Sequence, residues 1–441
     1  MKKIQNALKT INYRLWLALI LVLLMPTIYK TVRVFFLGNL PDDWGFNIAS
    51  QLQWVDLFYE VIQEALILPL FFILGKAIND KDDLANKLKS GLLITFIVYS
   101  VLSIVLICFA RPLIIYMAQD TNLIEQTVTY IRLETIASLF GTLFQFLMIA
   151  FITIKKDKNI YILLFIQMLL SIILDTFLVS SLNISLNLGV NGIAITNIIV
   201  NIILIFVSII LLNKENIKII NKNKLQFKWM KQWFNVGKYS GLESLLRNLA
   251  FTIMIVRMVN VVGEQGNYWI ANNFIWGWLL IPSLALADLV KQEIAADKQN
   301  IANKKFGYLV LTSILAILWI LSIFLWQPFL KYVMNVESYK MVYKIVLIQT
   351  IFYITFMFNN SIFDATFYAC GKTNYMLYQS IAIDFFYYGI MFILYLTKIF
   401  VPTIISISLM FGIGMLLDFI PTLILYIKLL KDENIKINFN V

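Results

Sequence analysis

The residues able to do chemistry in this chain are charges set inside apolar stretches. Ten are acidic, Asp56, Glu60, Glu64, Glu134, Asp175, Glu243, Asp288, Asp364, Asp384 and Asp418. Five are basic, Lys30, Arg33, Arg132, Arg247 and Arg257, and Lys238 stands at the entrance of one stretch. A charge at the centre of a bilayer costs roughly 2.5–3.5 kcal/mol even on insertion scales, so such groups face an interior where they pair or meet water. An acidic surplus there suits the binding of cations or the carrying of protons. The chain has no histidine. Proton transfer therefore falls to carboxylates, and histidine-dependent catalysis or zinc ligation is excluded. Cys108 and Cys370 lie far apart and outside metal-ligand spacing, so no disulfide framework exists.

Spacing groups some of these charges. Asp56, Glu60 and Glu64 recur every four residues, which places three carboxylates on one helical face. Lys30 and Arg33 share a face of the preceding helix, and pairing between these two helices is the plain structural expectation. At about 1.5 Å per residue, Arg33 and Asp175 reach depths of about 27 and 22 Å, so they stand at similar levels. Glu243 and Arg247, four residues apart, form an expected pair within one helix. Asp364 and Asp384 lie deeper in two later helices and are candidates for the substrate cavity, whereas Asp288 and Asp418 are expected near helix ends. In the aromatic segment from Tyr268 to Trp278, Trp276 and Trp278 are candidates for stacking on flat cations. Trp269 is expected to anchor at an interface.

The elements that must hold these groups are membrane spans. At 441 residues, with 60% apolar and 14% charged residues and a mean hydropathy of +0.81, no large soluble domain fits. Apolar runs of about 20 residues are expected at 15–37, 46–75, 91–110, 127–154, 160–182 and 188–212. The second set is expected at 236–262, 266–290, 306–327, 341–370, 374–397 and 401–430. The first run follows a basic N-terminus but lacks a small-residue cleavage pattern, so it is read as a retained helix. Residues 1–213 and 236–441 then form two six-helix lobes, joined by a basic connection over 214–235 that carries Lys222 and Lys224 among others. Alternating connections hold 25 lysines and arginines on one side against five on the other, which puts both termini in the cytoplasm. The net charge of +11 is thereby topological and does not indicate nucleic-acid binding. Displacing the chain on itself by 213–217 residues pairs Pro69 with Pro282, Pro112 with Pro328, Tyr116 with Tyr332, and Lys156 with Lys372. With six helices per half, this is a parallel repeat about an axis along the membrane normal.

Several stretches in order resemble the multidrug and toxic compound extrusion (MATE) family of the multidrug/oligosaccharidyl-lipid/polysaccharide flippase superfamily. They are Leu113 to Arg132, Leu174-Asp175 followed by Leu188 to Thr196, and Gly237 to Glu243 (GKYSGLE). The resemblance implies an all-α integral membrane protein of twelve transmembrane helices, a V-shaped bundle that exports cationic, often aromatic compounds as sodium ions or protons enter. It also implies that Asp175 and Thr196 occupy an N-lobe cation site, with Ser171 where that site often has Asn. Glu243 matches an acidic position of the C-lobe in some members, and Pro26 matches the bending proline of the first helix. Counting back from Gly38, Arg33 stands where the family usually has Asp. A guanidinium beside Asp175 acts as a tethered cation and opposes binding of sodium or a proton there. Coupling is then expected at Asp56, Glu60 and Glu64, or at Glu243.

The leading expectation is a secondary active exporter of small organic cations with no cofactor, coupled to sodium or protons. Any metal is limited to sodium at Asp175, and the protein is expected as a monomer in a bacterial inner membrane. The alternative is a flippase for a lipid-linked anionic oligosaccharide, with Lys30, Arg33, Arg247 and Arg257 as phosphate partners. An enzyme is not expected, since neither a histidine base nor a Gly-rich phosphate loop is present.

Overall fold

The computed structural model describes residues 2–39, 44–67, 69–75, 77, 80–154, 156–219, 225–433 and 435, and contains no strand among them. Lys222 and Lys224 of the central connection lie outside the described residues. The principal helices are α1 (Tyr13–Leu37), α2 (Leu52–Leu66), α3 (Lys81–Tyr116), α4 (Ile124–Thr153), α5 (Asp157–Leu178) and α6 (Val190–Lys214). They continue with α7 (Met230–Val261), the bent α8 (Gln265–Leu279 and Ile281–Ala295) and the bent α9 (Lys305–Leu321 and Ile323–Val333). The chain closes with α10 (Tyr339–Ala369), α11 (Asn374–Leu396) and α12 (Ile404–Asp432).

Nine of these helices are long and apolar enough to cross a bilayer, and the bent pairs raise the number to as many as eleven among the described residues. The second expected run differs from the rest. It is described as Trp44–Ser50, Leu52–Leu66 and Leu70–Gly75 rather than one uninterrupted helix. Its three carboxylates lower the hydropathy that the other spans show. The pieces of α8 meet at 55°, with Pro282 in the first turn of the second piece, where its missing N–H costs no helical bond.

Contacts divide the chain into two compact units, residues 28–266 and residues 1–27 with 267–441. α1 contributes to both, and the change falls after Thr27, the residue that follows Pro26. α7 belongs with the first unit because the GKYSG stretch lets it approach α2 closely. A Cβ on Gly237 would lie 1.8 Å from the Ala65 carbonyl oxygen, and one on Gly241 would lie 2.7 Å from the Ala65 Cβ. The contact is then fastened by polar groups. The Ser240 hydroxyl donates to the Glu64 carbonyl at 2.8 Å, the Trp233 indole to Leu66 at 2.7 Å, and the Asn248 amide to Leu57 at 3.3 Å. In the same unit, Leu84, Leu88, Phe146, Leu147, Ala150 and Leu204 form part of a buried hydrophobic core.

In the second unit, helices α8 to α12 enclose aromatic packing. Tyr353 stacks on Trp319 with ring centres 6.2 Å apart, and Trp319 meets Trp326 edge-on. α12 begins with a capping box in which Thr403 and Ser406 satisfy each other's backbone amides. Asp418, expected near a helix end, instead lies midway along the 29 residues of α12.

Candidate functional site

The charges of the 28–266 unit gather around two guanidiniums. Arg33 on α1 donates from Nε to Asp175 Oδ2 at 2.9 Å and from Nη2 to Asn197 Oδ1 at 3.0 Å. Asn197 turns its amide nitrogen to both oxygens of Glu134, at 2.9 and 3.1 Å. One side-chain amide thus relays the guanidinium of Arg33 to a second carboxylate. The cluster is closed: the Arg33 side chain is 12% exposed, and Asp175 is 1% exposed. Ser171 and Thr196 are buried beside these groups in sequence, and the Thr196 hydroxyl has no hydrogen-bond partner among the described residues.

The local sequence explains why these groups meet. Gly192 lets the start of α6 press against the end of α5, since a Cβ there would lie 2.7 Å from the Leu178 carbonyl oxygen. Gly189 precedes it with φ of +56°, a conformation that costs glycine little. That turn fixes α6 against α5. Asp175 stands about one turn from the end of α5, and Asn197 about two turns into α6. The sequence places Glu134 among the embedded acids without assigning it to a site, and Asn197 is not among the residues singled out from it. Asn197 directly follows Thr196, and a buried amide next to a candidate ligand is the signal that points to it.

The second guanidinium is shared three ways. Arg247 donates from Nε to Glu243 at 3.1 Å, from Nη1 and Nη2 to Glu60 at 3.2 Å, and from Nη2 to Glu64 at 3.0 Å. The close approach of α7 to α2 makes this possible, because it lays one turn of α7 along the carboxylate stripe. The arrangement is more open than that of Arg33: Arg247 is 43% exposed and Glu60 37% exposed. One guanidinium faces three carboxylates at hydrogen-bond distance.

The remaining candidates fall in different places. Arg33 does not bridge α1 to α2 as the spacing suggests; it turns to α5 and α6, and Glu60 and Glu64 turn to Arg247 on α7. Asp56 is exposed on the same stripe and within electrostatic reach of Lys30. Arg257 donates to the Tyr116 carbonyl at 2.9 Å and covers the Tyr116 ring, which ties it to the end of α3. In the second unit, Trp276 donates its indole N–H to the Tyr353 hydroxyl at 3.1 Å and meets Phe356 edge-on, while Trp278 packs against Phe329. Asp364 accepts a hydrogen bond from Gln379 at 3.1 Å, and Asp384 opens a π-helical turn, Asp384–Tyr388.

Comparison with known proteins agrees with this architecture. The MatE family model matches residues 73–177. No curated protein matches the chain in sequence. The fold is similar to that of an inward-facing multidrug resistance MATE family transporter of the MOP superfamily, with a TM-score of 0.71 at 15% identity over 92% of this chain and 95% of the other. It is also similar to a mutant of the Vibrio cholerae MATE transporter VcmN, with a TM-score of 0.69 at 15% identity over 98% and 99% of the two chains. A third similar structure is a MOP superfamily transporter from Pyrococcus furiosus, described by a reversed polarity of its binding pocket that suggests a different function. Its TM-score is 0.66 at 15% identity over 95% of each chain. The chain is therefore a multi-pass membrane protein with the fold of the MATE transporters and a MatE domain over residues 73–177.

Proposed function

We propose that this protein is a secondary active exporter of organic cations, working by alternating access between its two halves, residues 1–213 and 236–441, joined by 214–235. Entry of sodium or protons drives the export. The protein works as a monomer in a bacterial cytoplasmic membrane, with both termini in the cytoplasm. The observation that carries this reading is the charge inventory of the 28–266 unit. Arg33 and Arg247 are held by Asp175, Glu60, Glu64 and Glu243, and Glu134 is relayed to Arg33 through Asn197. Two positive charges against five carboxylates leave an acidic surplus, which attracts cations and repels anions.

The same inventory weighs against an anionic lipid-linked saccharide. That substrate needs free guanidiniums for its phosphates, and both Arg33 and Arg247 already face carboxylates at hydrogen-bond distance. A phosphate would have to displace carboxylates that remain in place and repel it.

The two clusters have different roles in this reading. Arg33 is the tethered cation of Asp175: it supplies the charge that a transported ion would bring and holds Glu134 through Asn197. Arg247 is the exchangeable one. An entering ion or proton neutralises part of the Glu60, Glu64 and Glu243 surplus, loosens the guanidinium, and is released when the carboxylates regain it. Trp276 then provides an aromatic face on which a planar cation stacks.

The reading is tested in proteoliposomes of the purified protein loaded with a fluorescent aromatic cation, under a sodium gradient, a pH gradient or neither. Efflux that requires a gradient and falls to background in Glu243→Gln, Glu60→Gln or Glu64→Gln supports it. Gradient-driven efflux left intact by all three substitutions removes the Arg247 cluster from the mechanism. Absence of efflux from folded protein overturns the exporter reading.

A further inference from the structure

We infer that the exposed seam between α3 and α4 binds the phosphate of one phospholipid, held by Arg132 with Arg111 and favouring an anionic headgroup. The site lies apart from the Arg33 and Arg247 clusters. It takes only its leaflet, the outer one, from the topology proposed above, since lipid binding is measurable without transport.

Arg132 is an exposed arginine inside a span. It stands eight residues beyond the start of α4, about 12 Å along the helix. Its Nε donates to the Ile107 carbonyl at 3.3 Å, and Ile107 lies nine residues before the end of α3, at a similar depth. That acceptor is uncharged, and no carboxylate pairs with the Arg132 guanidinium among the described residues.

The surface around this charge is apolar. On α3, Ile97, Val101 and Ile104 are exposed at helical spacing, with Ile104 at 61%, and on α4 the exposed Ile136 lies one turn deeper than Arg132. Such a stripe, on helices long and apolar enough to cross a bilayer, faces acyl chains. A guanidinium among acyl chains is costly without an anion, and long basic side chains answer by reaching for the headgroups. Helix direction assists, because side chains lean toward the N-terminus of their own helix, and α4 starts at the headgroup end.

A second guanidinium completes the upper part of the seam. The α3 stripe continues through the exposed Cys108 to Arg111, one turn beyond Ile107. Arg111 Nη2 lies 3.0 Å from Glu125 Oε1 at the start of α4, and both side chains are well exposed, so this pair is weak. Two guanidiniums thus face one carboxylate across the α3 and α4 stripes. Asp120 belongs to the connecting turn, which it caps by accepting from the Asn122 amide at 2.9 Å. A phosphate fits what remains, since the planar fork of a guanidinium matches two of its oxygens. The apolar stripe beneath the charges then selects a phosphate that carries acyl chains.

The test uses the full-length protein purified in detergent and follows retained lipid by native mass spectrometry as phosphatidylglycerol, phosphatidylcholine or inorganic phosphate is added. The wild type is expected to retain one phosphatidylglycerol at about one-fifth of the concentration that phosphatidylcholine needs. Arg132→Leu, which suits a lipid-facing position, should raise the phosphatidylglycerol requirement about fivefold. Arg132→Lys, which keeps the charge and loses the fork, should fall between the two. Lys331→Gln, the same loss of charge in the 267–441 unit, should bind as the wild type does. Wild-type retention in Arg132→Leu, or equal weakening in Lys331→Gln, overturns the site. Displacement of the lipid by inorganic phosphate overturns the lipid assignment in favour of a free anion. Should Arg132→Leu fail to fold, Arg132→Lys and Arg111→Gln are read by the same measurement, and wild-type retention in both overturns the site. Absent efflux with intact lipid retention defeats the exporter reading and leaves this site standing.

Discussion

Replacing Arg33 with methionine tests whether its guanidinium is the resident cation of Asp175. The substitution keeps an unbranched apolar stem and removes the guanidinium and its charge. It leaves Asp175 and Glu134, 1% and 2% exposed, as buried carboxylates without the guanidinium. Breaking a buried pair in this way costs roughly 3–5 kcal/mol, because the remaining charge is unpaired in a medium that solvates it poorly. The pair is short and nearly closed, at 2.9 Å with Arg33 12% exposed, so little discount for solvent screening applies. Arg33→Met is therefore expected to unfold at markedly lower denaturant or temperature than the wild type.

The vacated space makes the reasoning more specific than a loss of stability. With the guanidinium gone, Asp175, Asn197 and the unpartnered Thr196 hydroxyl offer oxygens to a free cation. At a sodium concentration one hundred times its dissociation constant, binding restores about 2.7 kcal/mol. The assay compares unfolding of wild type, Arg33→Met and Arg33→Met/Asp175→Asn in sodium and choline chloride. The expected result is a sodium-dependent rise larger in Arg33→Met than in the wild type, with that extra rise absent in the double variant. The double variant should also regain part of the lost stability, since it no longer buries Asp175 as a charge. If Arg33→Met unfolds as the wild type does, or gains no more from sodium than the wild type, Arg33 is not a tethered cation.

Other outcomes follow from the same geometry. Gly237→Leu should prevent assembly of the Arg247 cluster, because even a Cβ would meet the Ala65 carbonyl at 1.8 Å; overpacking typically costs about 1–3 kcal/mol, and efflux and unfolding should both report it. Trp276→Ala should raise the half-saturating concentration of a planar aromatic cation about tenfold, while Trp276→Phe should retain most of the affinity, as read from efflux titrations. A pH-dependent tie joins the ends of α5 and α6, where Lys156 Nζ lies 2.6 Å from Glu215 Oε2 and holds the Glu215 carboxyl below its usual range. A lowered carboxyl contributes stability above its unfolded value and loses it as pH falls through the folded one. Lys156→Ala should thus lower the unfolding midpoint near pH 7 and lose that effect in acid.

Much of this was legible in the residues because bilayer physics leaves few choices. Spans such as 91–110 and 401–430 are long apolar runs, and hydrogen bonding in lipid forces such runs into helices. The run at 46–75 was legible only as a region. Asp56, Glu60 and Glu64 mark it as interior, yet nothing in their spacing reveals that the helix is built from several pieces or that its partner is α7. That partner is set by the absence of side chains at Gly237 and Gly241, a steric fact that becomes visible only against Ala65. The i,i+4 pair of Glu243 with Arg247 was readable within one helix. The attachment of Glu60 and Glu64 to the same guanidinium was not, because it joins residues more than 180 positions apart.

Arg33 and Arg247 show why residue type alone does not separate the fixed charge of the proposed mechanism from its exchangeable one. Both are arginines inside apolar stretches, and both meet carboxylates at about 3 Å. Arg33 is enclosed with a directly bonded aspartate and reaches Glu134 through a neutral amide. Its removal exposes no charge to water, which makes it costly to exchange. Arg247 is shared among three carboxylates and is 43% exposed, which is the basis of the exchangeable role proposed for it. A displaced guanidinium there is resolvated, and the carboxylates it leaves can be neutralised by an incoming cation. The difference lies in stoichiometry and access, both set by tertiary contacts: the Gly192 turn closes one cluster, and the α2–α7 approach gathers the other. A variant that buries Arg247 more deeply without breaking its three ion pairs should therefore bind ions more weakly and slow exchange, even though every charged residue remains.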